Sequence, residues 1–134
     1  MAQAEARPDG FGNSALWVAA HLVRARHGLL ARLGAELPNP LPAELVNAKG
    51  IADVTAWPAL DEVRAAWTGV SHALRDRLDA VTPAELAAAI DVRFPVFEQT
   101  VYGALVFLVQ HDSYHIGQLS VLRKLVGLPG MSFR

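Results

Sequence analysis

Three long stretches of the sequence place apolar residues at the three- and four-residue intervals of an α-helix. The first runs from about Ser14 to Leu33, the second from about Pro58 to Ala80, and the third from Phe97 or Glu98 to Val126. The best strand signal, Asp91 to Val96, is too short to found a sheet. The pattern therefore predicts an all-α fold, an antiparallel up-and-down bundle of helices.

Local signals indicate where the helices begin and end. Asn13 or Ser14 can cap the first long helix, Gly34 is its expected stop, and Thr55 is a candidate cap for the second. The run from Thr82 to Glu85 is a capping box with proline at the first helical position. We therefore expect a further short helix that reaches about Ile90.

Two segments lack a long helical pattern. Residues 35–57 contain three prolines within five residues, and proline removes backbone donors and fixes φ, so no long helix can continue there. We expect a long connection with a short helical turn around Ala43 to Asn47, and such connections often form functional walls or lids. Residues 1–12 are expected to be flexible or irregular, within one domain that spans residues 1–134.

The composition argues against several classes of protein. Of the 134 residues, 52% are hydrophobic and 19% are charged, which is typical of a globular domain. Lys and Arg (12) nearly balance Asp and Glu (13) without a basic stripe, which argues against nucleic-acid binding. No stretch approaches the roughly 20 apolar residues of a membrane span, and the first residues lack a signal peptide's apolar segment, so a cytoplasmic location is expected. Because there is no cysteine, nitrogen and oxygen ligands must hold any metal.

Two histidines four residues apart, His111 and His115, lie on the apolar face of the third long helix. At this spacing their side chains are roughly 6 Å apart and can converge on one metal ion. The alternative is two independent core histidines, each satisfied by one hydrogen bond. A zinc site needs a third protein ligand, and His21, in the middle of the first helix, is the natural choice. His72 is expected to be exposed and His27 to be peripheral.

Two motifs carry a resemblance to a known family. WVAAH occupies residues 17–21 in the first helix, and HDSYHIGQLSVLRKLVG occupies residues 111–127 in the last. Together they resemble the DinB-like superfamily, over about residues 13–130. The resemblance implies a four-helix bundle with a three-histidine site for one divalent metal ion, often zinc or nickel. Carried over by position, the ligands are His21, His111 and His115. Some relatives use low-molecular-weight thiols, as S-transferases or thiol-dependent isomerases.

Four neighbours are candidates to line the pocket or to support the ligands: Trp17, Tyr114, Gln118 and Arg123. Gln118 holds a ligand histidine or a metal-bound water, or it satisfies a buried polar group. Tyr114 and Arg123 reach the pocket, or they are surface residues with packed stems. Asp112 makes the segment look like HExxH with a shortened acid, but its carboxylate falls about one methylene short of where that motif's base acts. No catalytic residue is assigned.

These observations predict a divalent-metal-binding protein. An ion held by three neutral imidazoles keeps its full charge and lowers the pKa of a bound water or thiol. We expect an enzyme that activates water or an external thiol against a small-molecule substrate, as a hydrolase or an S-transferase. Since the chain has no cysteine, a thiol must come from a cosubstrate, and preferring thiol over water rests on the resemblance alone. The alternative is a non-catalytic bundle whose metal stabilises folding or an interaction surface.

The sequence departs from the resemblance in one respect. Family members usually carry a further long helix before the one with the Trp-x-x-x-His motif, whereas here only about a dozen residues precede it. Part of the apolar surface of the first or third helix would then face water, and large exposed apolar patches are uncommon on monomers. We therefore expect a homodimer, the alternative being that residues 36–57 fold back over this surface.

Overall fold

Helices form all the regular structure in the residues that the computed structural model describes, 2–8 and 12–131. In chain order they are α1 (Ala2–Glu5), α2 (Ala15–Arg32), α3 (Ala43–Asn47), a 3₁₀ turn (Ile51–Asp53), α4 (Leu60–Asp79), α5 (Pro83–Ala87) and α6 (Val101–Leu125). The predicted all-α bundle is therefore confirmed. Extended pairing in this part of the chain is limited to one isolated antiparallel bridge, between Ala89 and Thr100.

Helix α2 begins and ends where its sequence signals indicate. The hydroxyl of Ser14 accepts a hydrogen bond from the backbone N–H of Trp17 at 3.2 Å, which satisfies one of the free donors of the first turn. Gly34 follows the helix with φ +76°, a left-handed conformation that favours glycine.

The cap predicted for the second long helix is wrong. The Glu62 carboxylate accepts from the backbone N–H of Ala59 at 2.6 Å, so α4 begins directly after Ala59. Thr55 lies four residues earlier, and its backbone N–H and hydroxyl both donate to the Glu44 carboxylate. Thr55 therefore ties the end of the connection to α3 and does not cap α4.

The boundaries around α5 and α6 differ from the prediction by about three residues. The capping box at Thr82 forms, but α5 ends at Ala87 because the following backbone pairs with the segment before α6. Helix α6 begins after its cap Thr100, later than the predicted start, since the Gln99 side chain bonds the backbone of Phe94 and holds the preceding turn. Gly103 allows this turn to lie close, because a Cβ there would sit 1.9 Å from the Glu98 carbonyl oxygen.

Helix α2 lies at the centre of the bundle and packs against both α4 and α6. The largest fully buried side chains come from these three helices and form one core: Leu16, Val18, Val23, Leu30, Val63, Val70 and Leu122. On one side of α2, helices α4 and α6 leave an apolar groove of about 430 Å³ that includes Leu60, Trp67 and Leu119. The other side carries the histidines described below.

The connection from residue 35 to residue 57 is tied to α2 along its length. It contains α3 at the predicted position, and the Leu37 carbonyl oxygen lies 3.0 Å from His27 Nδ1. The Arg24 guanidinium donates to the carbonyls of Val46 and Ala48, at 3.2 and 2.9 Å. The connection thus forms a wall beside the middle of α2.

The amino-terminal segment contains more structure than predicted. Residues 2–5 form the short helix α1, which packs against α2, within the stretch expected to be flexible or irregular. Residues 9–11 of that stretch lie outside the described residues. Across the described chain, no helix combines the length and apolar character that crossing a membrane requires.

Candidate metal centre

Three histidines from two helices meet at one point between α2 and α6. His21 lies on α2, and His111 and His115 lie one turn apart on α6. Each is half-buried, and one ring nitrogen from each lies within 4.8 Å of the other two. The structure therefore brings together all three residues that were considered as ligands.

The three imidazoles contact one another. The Nε2 atoms of His21 and His111 are 2.9 Å apart, and the ring centroids of His111 and His115 are 4.5 Å apart. Two independent core histidines would each have a hydrogen-bond partner of their own. His115 has such a partner in Gln118, whereas the polar partner of His111 is another imidazole, that of His21, and this pairing favours one shared site.

Hydrogen bonds indicate where the protons of these rings reside. Gln118 Oε1 lies 2.8 Å from His115 Nδ1, and because an amide oxygen only accepts, His115 carries its proton on Nδ1 and a lone pair on Nε2. Arg24 Nη2 lies 3.4 Å from His21 Nδ1 and only donates, which places the proton of His21 on Nε2. That proton is shared with His111 Nε2, so the proton of His111 is on Nδ1.

Burial favours the uncharged forms of His21 and His111. It is the largest cause that lowers the pKa of His21 to about 4, and the charges of His115, His111 and Arg24 lower it further. Burial also lowers the pKa of His111, where His115 adds to the effect and Asp112 opposes it. Neutral imidazole is the form that binds a metal ion.

The chemistry of this donor set fits a divalent transition metal. Two nitrogens bound to a tetrahedral ion at about 2.0–2.1 Å lie about 3.3 Å apart, close to the separation of the His21 and His111 Nε2 atoms. Three imidazoles without thiolate or carboxylate suit zinc, nickel and similar ions. A cation bound to the two Nε2 atoms would take the place of the proton that they now share, and neutral His21 would then carry its proton on Nδ1.

Two of the four proposed neighbours border the triad through their rings. Trp17, one helical turn before His21, stacks on the His21 ring with centroids 6.4 Å apart. Tyr114 presents an edge to His115 at 5.1 Å, and its side chain is largely exposed. Tyr114 thus lies on the solvent side of the triad.

The other two neighbours have different positions. Gln118 contacts His115 directly, as described above. Arg123 donates from Nε to the Pro129 carbonyl at 3.1 Å and lines a separate groove with Gln3 and Met131. The structure therefore places Gln118 at the triad and places Arg123 near the carboxyl end of α6.

Sequence reasoning missed several residues at this site. Arg24 is three residues after His21 on the same helix, and that spacing could have indicated its proximity. Trp57 packs edge-on against Trp17 with centroids 6.4 Å apart, and Phe107 lies 5.7 Å from His111. Trp57 comes from the long connection, so no helical spacing pointed to it.

The site lies within a region that matches a known family. A family model described as the DinB superfamily matches residues 1–119, which include all three histidines. No curated protein and no solved structure matches the chain significantly.

Proposed function

The chain belongs to the DinB superfamily, and on this premise we propose that it is a metal-dependent enzyme that activates a thiol or a water molecule as nucleophile. The observation that supports this proposal is the meeting of three imidazole nitrogens within 4.8 Å of one another. A bound divalent ion would supply Lewis acidity, lowering the pKa of a water or thiol beside it. Zinc and nickel are the ions that this donor set favours.

The residues of the chain have separate tasks in this proposal. His21, His111 and His115 hold the ion in their neutral forms, which burial favours for His21 and His111. Gln118 orients His115 by accepting a hydrogen bond from its Nδ1–H group. Arg24 adds a fixed positive charge beside the site, which attracts an anionic reactant.

The aromatic residues limit the access of water. Trp17 stacks on His21, Trp57 packs against Trp17, and Phe107 packs at His111. Excluding water strengthens the electrostatic interactions at the site. Since the chain has no cysteine, a thiol nucleophile comes from an external small molecule.

Metal content is the first test. Purified protein should contain about one divalent ion per chain by elemental analysis, and the double variant His111→Ala, His115→Ala should contain none. His72→Ala is the matched control, because His72 is exposed on α4 and should leave the content unchanged. Stoichiometric metal in the double variant would exclude this site.

Turnover then separates the two nucleophiles. Metal-loaded protein is assayed with electrophilic and ester substrates, with and without a low-molecular-weight thiol. Turnover that requires the thiol supports an S-transferase, and turnover in its absence supports a hydrolase. Failure of both reactions across a broad panel of substrates would favour the second candidate.

The second candidate is a non-catalytic bundle that the metal stabilises. It is supported by the position of the triad, which joins α2 to α6, so an ion would cross-link two helices of the core. Removing the metal with a chelator should then lower the melting temperature markedly. If the melting temperature does not change, a structural role is excluded.

A further inference from the structure

We propose that Asp112 is a positioning residue for the metal ligand His111, an inference that rests on the metal site proposed above. Asp112 follows His111 in α6 and is buried. Its Oδ2 atom accepts from Nε and Nη2 of Arg26, at 3.2 and 2.7 Å. Its Oδ1 atom is also buried and has no hydrogen-bond partner among the described residues. Asp112 Oδ2 is thus occupied by Arg26, and Asp112 Oδ1 can accept a hydrogen bond from another donor.

The available oxygen faces an unpaired nitrogen of His111. The Nδ1 atom of His111 is buried, has no hydrogen-bond partner in the described chain, and lies 3.8 Å from Asp112 Oδ1. Both the hydrogen bonds of the triad and metal binding through Nε2 place the His111 proton on Nδ1. A buried donor therefore faces a buried acceptor, and a movement of roughly 0.8 Å would bring them to hydrogen-bonding distance.

Contacts with all three long helices hold the Asp112 carboxylate in place. The Arg26 guanidinium, from α2, stacks on the Trp67 ring of α4 at 3.7 Å. Its Nη1 atom donates to Ser71 Oγ at 2.7 Å, and the Ser71 hydroxyl donates to the Trp67 carbonyl. Because Arg26 is restrained on two sides, Asp112 cannot easily rotate away from His111.

This arrangement explains why the position needs a carboxylate. A carboxylate can accept a hydrogen bond from the N–H group of a metal-bound histidine. This bond fixes the orientation of the ring and raises the basicity of the nitrogen that binds the metal. Both oxygens of Asp112 are required, one for Arg26 and one for His111. Asparagine offers a single acceptor oxygen, so Asp112→Asn cannot satisfy Arg26 and His111 together.

The test is a competition titration of Zn²⁺ against a chromophoric chelator. Asp112→Asn should weaken zinc binding by about 10- to 100-fold. Asp76→Asn is the matched control, because it makes the same substitution at an exposed position of α4; its affinity should stay within about threefold of wild type. Equal affinities for Asp112→Asn and wild type would overturn the proposal. Absence of zinc binding by wild type would instead show that the metal site itself is wrong.

A measurement on the wild-type protein covers the case in which Asp112→Asn does not fold. In the ¹H–¹⁵N spectrum of the zinc-bound protein, His111 should show a protonated Nδ1 whose proton exchanges slowly and resonates far downfield. His115, which donates to the neutral Gln118, should show a smaller downfield shift. A rapidly exchanging His111 Nδ1 proton would overturn the proposal.

A separate observation concerns the outer face of α6, and from it we infer a contact with a second copy of this chain. We define this face by the residues Tyr102, Val106, Val109, Ser113, Gly117 and Val121. Val109 is 67% exposed and Tyr102 is 53% exposed. Between Val101 and Leu122 the sequence has no Glu, Lys or Arg, and its one Asp, Asp112, is buried. Exposed apolar side chains along one side of a helix are typical of a face that another protein surface covers.

Two small residues let another helix approach this face closely. A Cβ added at Gly117 would meet nothing within 4 Å, so no packing within the described chain explains the glycine. The Ser113 hydroxyl donates to the Val109 carbonyl at 2.8 Å, which satisfies it locally. The middle of the face therefore has only small side chains, and the Ser113 hydroxyl is hydrogen-bonded.

Length and charge favour a second copy as the occupant. The face runs from Tyr102 to Val121 and is about 30 Å long, and the same face of a second copy matches it in length. The Lys and Arg residues of α6 lie at its carboxyl end, where Lys124 is exposed and Arg123 is half-buried. An antiparallel two-fold pair keeps these cations at opposite ends, so they do not repel each other across the contact.

Light scattering at micromolar concentration tests this inference. Wild type should have the mass of two chains, and Val109→Arg and Gly117→Leu should each have the mass of one. Val92→Arg is the matched control. Val92 is 40% exposed and lies in the connection between α5 and α6, so this variant should leave the dimer intact. A single-chain mass for wild type, or dimers of both α6 variants, would overturn the inference.

Discussion

The Nε2 atoms of His21 and His111 lie 2.9 Å apart across the contact between α2 and α6. Ninety residues separate the two in sequence, so only the packing of the two helices produces this pair. It also gives the bundle a pH-sensitive element, because both rings must stay neutral to remain so close.

Acidification should destabilise the metal-free protein. The pKa of His21 is about 4 in the folded chain, against about 6.5 when unfolded, so between these values the unfolded state binds more protons. The contribution of His21 to stability is therefore complete above pH 6.5 and is lost as the pH falls towards 4. After allowance for solvent screening we expect a loss of about 1–2 kcal/mol.

Denaturant unfolding of the chelated protein at pH 7 and pH 4.5 measures this loss. His21→Ala, compared with itself at the two pH values, should show a smaller difference than wild type. A difference of equal size in both proteins would assign the pH dependence to other groups.

Gly103→Ala should lower the free energy of unfolding by about 2–4 kcal/mol, because overpacking against backbone cannot relax easily. The added Cβ would lie 1.9 Å from the Glu98 carbonyl oxygen and within 3.3 Å of Val96. Gly69→Ala on α4 is the control, since its Cβ meets nothing within 4 Å and should stabilise the helix by about 0.5–1 kcal/mol. Thermal melts of the two variants should shift in opposite directions.

Ser14→Ala should cost about 1 kcal/mol of stability, since it leaves the Trp17 backbone N–H without its cap. Ser14 is 1% exposed, so water cannot easily replace the lost acceptor. Thr68→Ala, at an exposed position in the middle of α4, should change stability by less than about 0.5 kcal/mol. Chemical denaturation of both variants tests the cap, and equal midpoints would contradict it.

Arg24→Met should loosen the wall that the connection forms beside the triad. The guanidinium supplies the hydrogen bonds to the carbonyls of Val46 and Ala48, and methionine keeps an apolar stem without these donors. Amide hydrogen exchange in residues 43–57 should become faster. His27→Ala should instead increase exchange near Leu37, which its ring contacts. Unchanged exchange in residues 43–57 of Arg24→Met would show that other contacts hold the wall.

Local chemistry determined the helices of this protein. The caps at Ser14 and Thr82 and the stop at Gly34 act on backbone groups within four residues, so the sequence alone predicts them. The predicted cap Thr55 was wrong because Glu44, eleven residues earlier, accepts from it, and no local pattern reveals such a pairing.

The sequence also determined the proximity of two of the three histidines of the candidate site, and tertiary structure decided the position of the third. The four-residue interval between His111 and His115 makes them neighbours on any helix. Periodicity could place His21 on an inward face, but only the packing of α2 on α6 set its ring against the pair. Trp57, which packs against Trp17, lies on an irregular connection, and the path of that connection depends on hydrogen bonds from Arg24. Contacts between residues that are distant in sequence depend on how whole helices pack. The spacing of apolar residues along the sequence does not determine that packing.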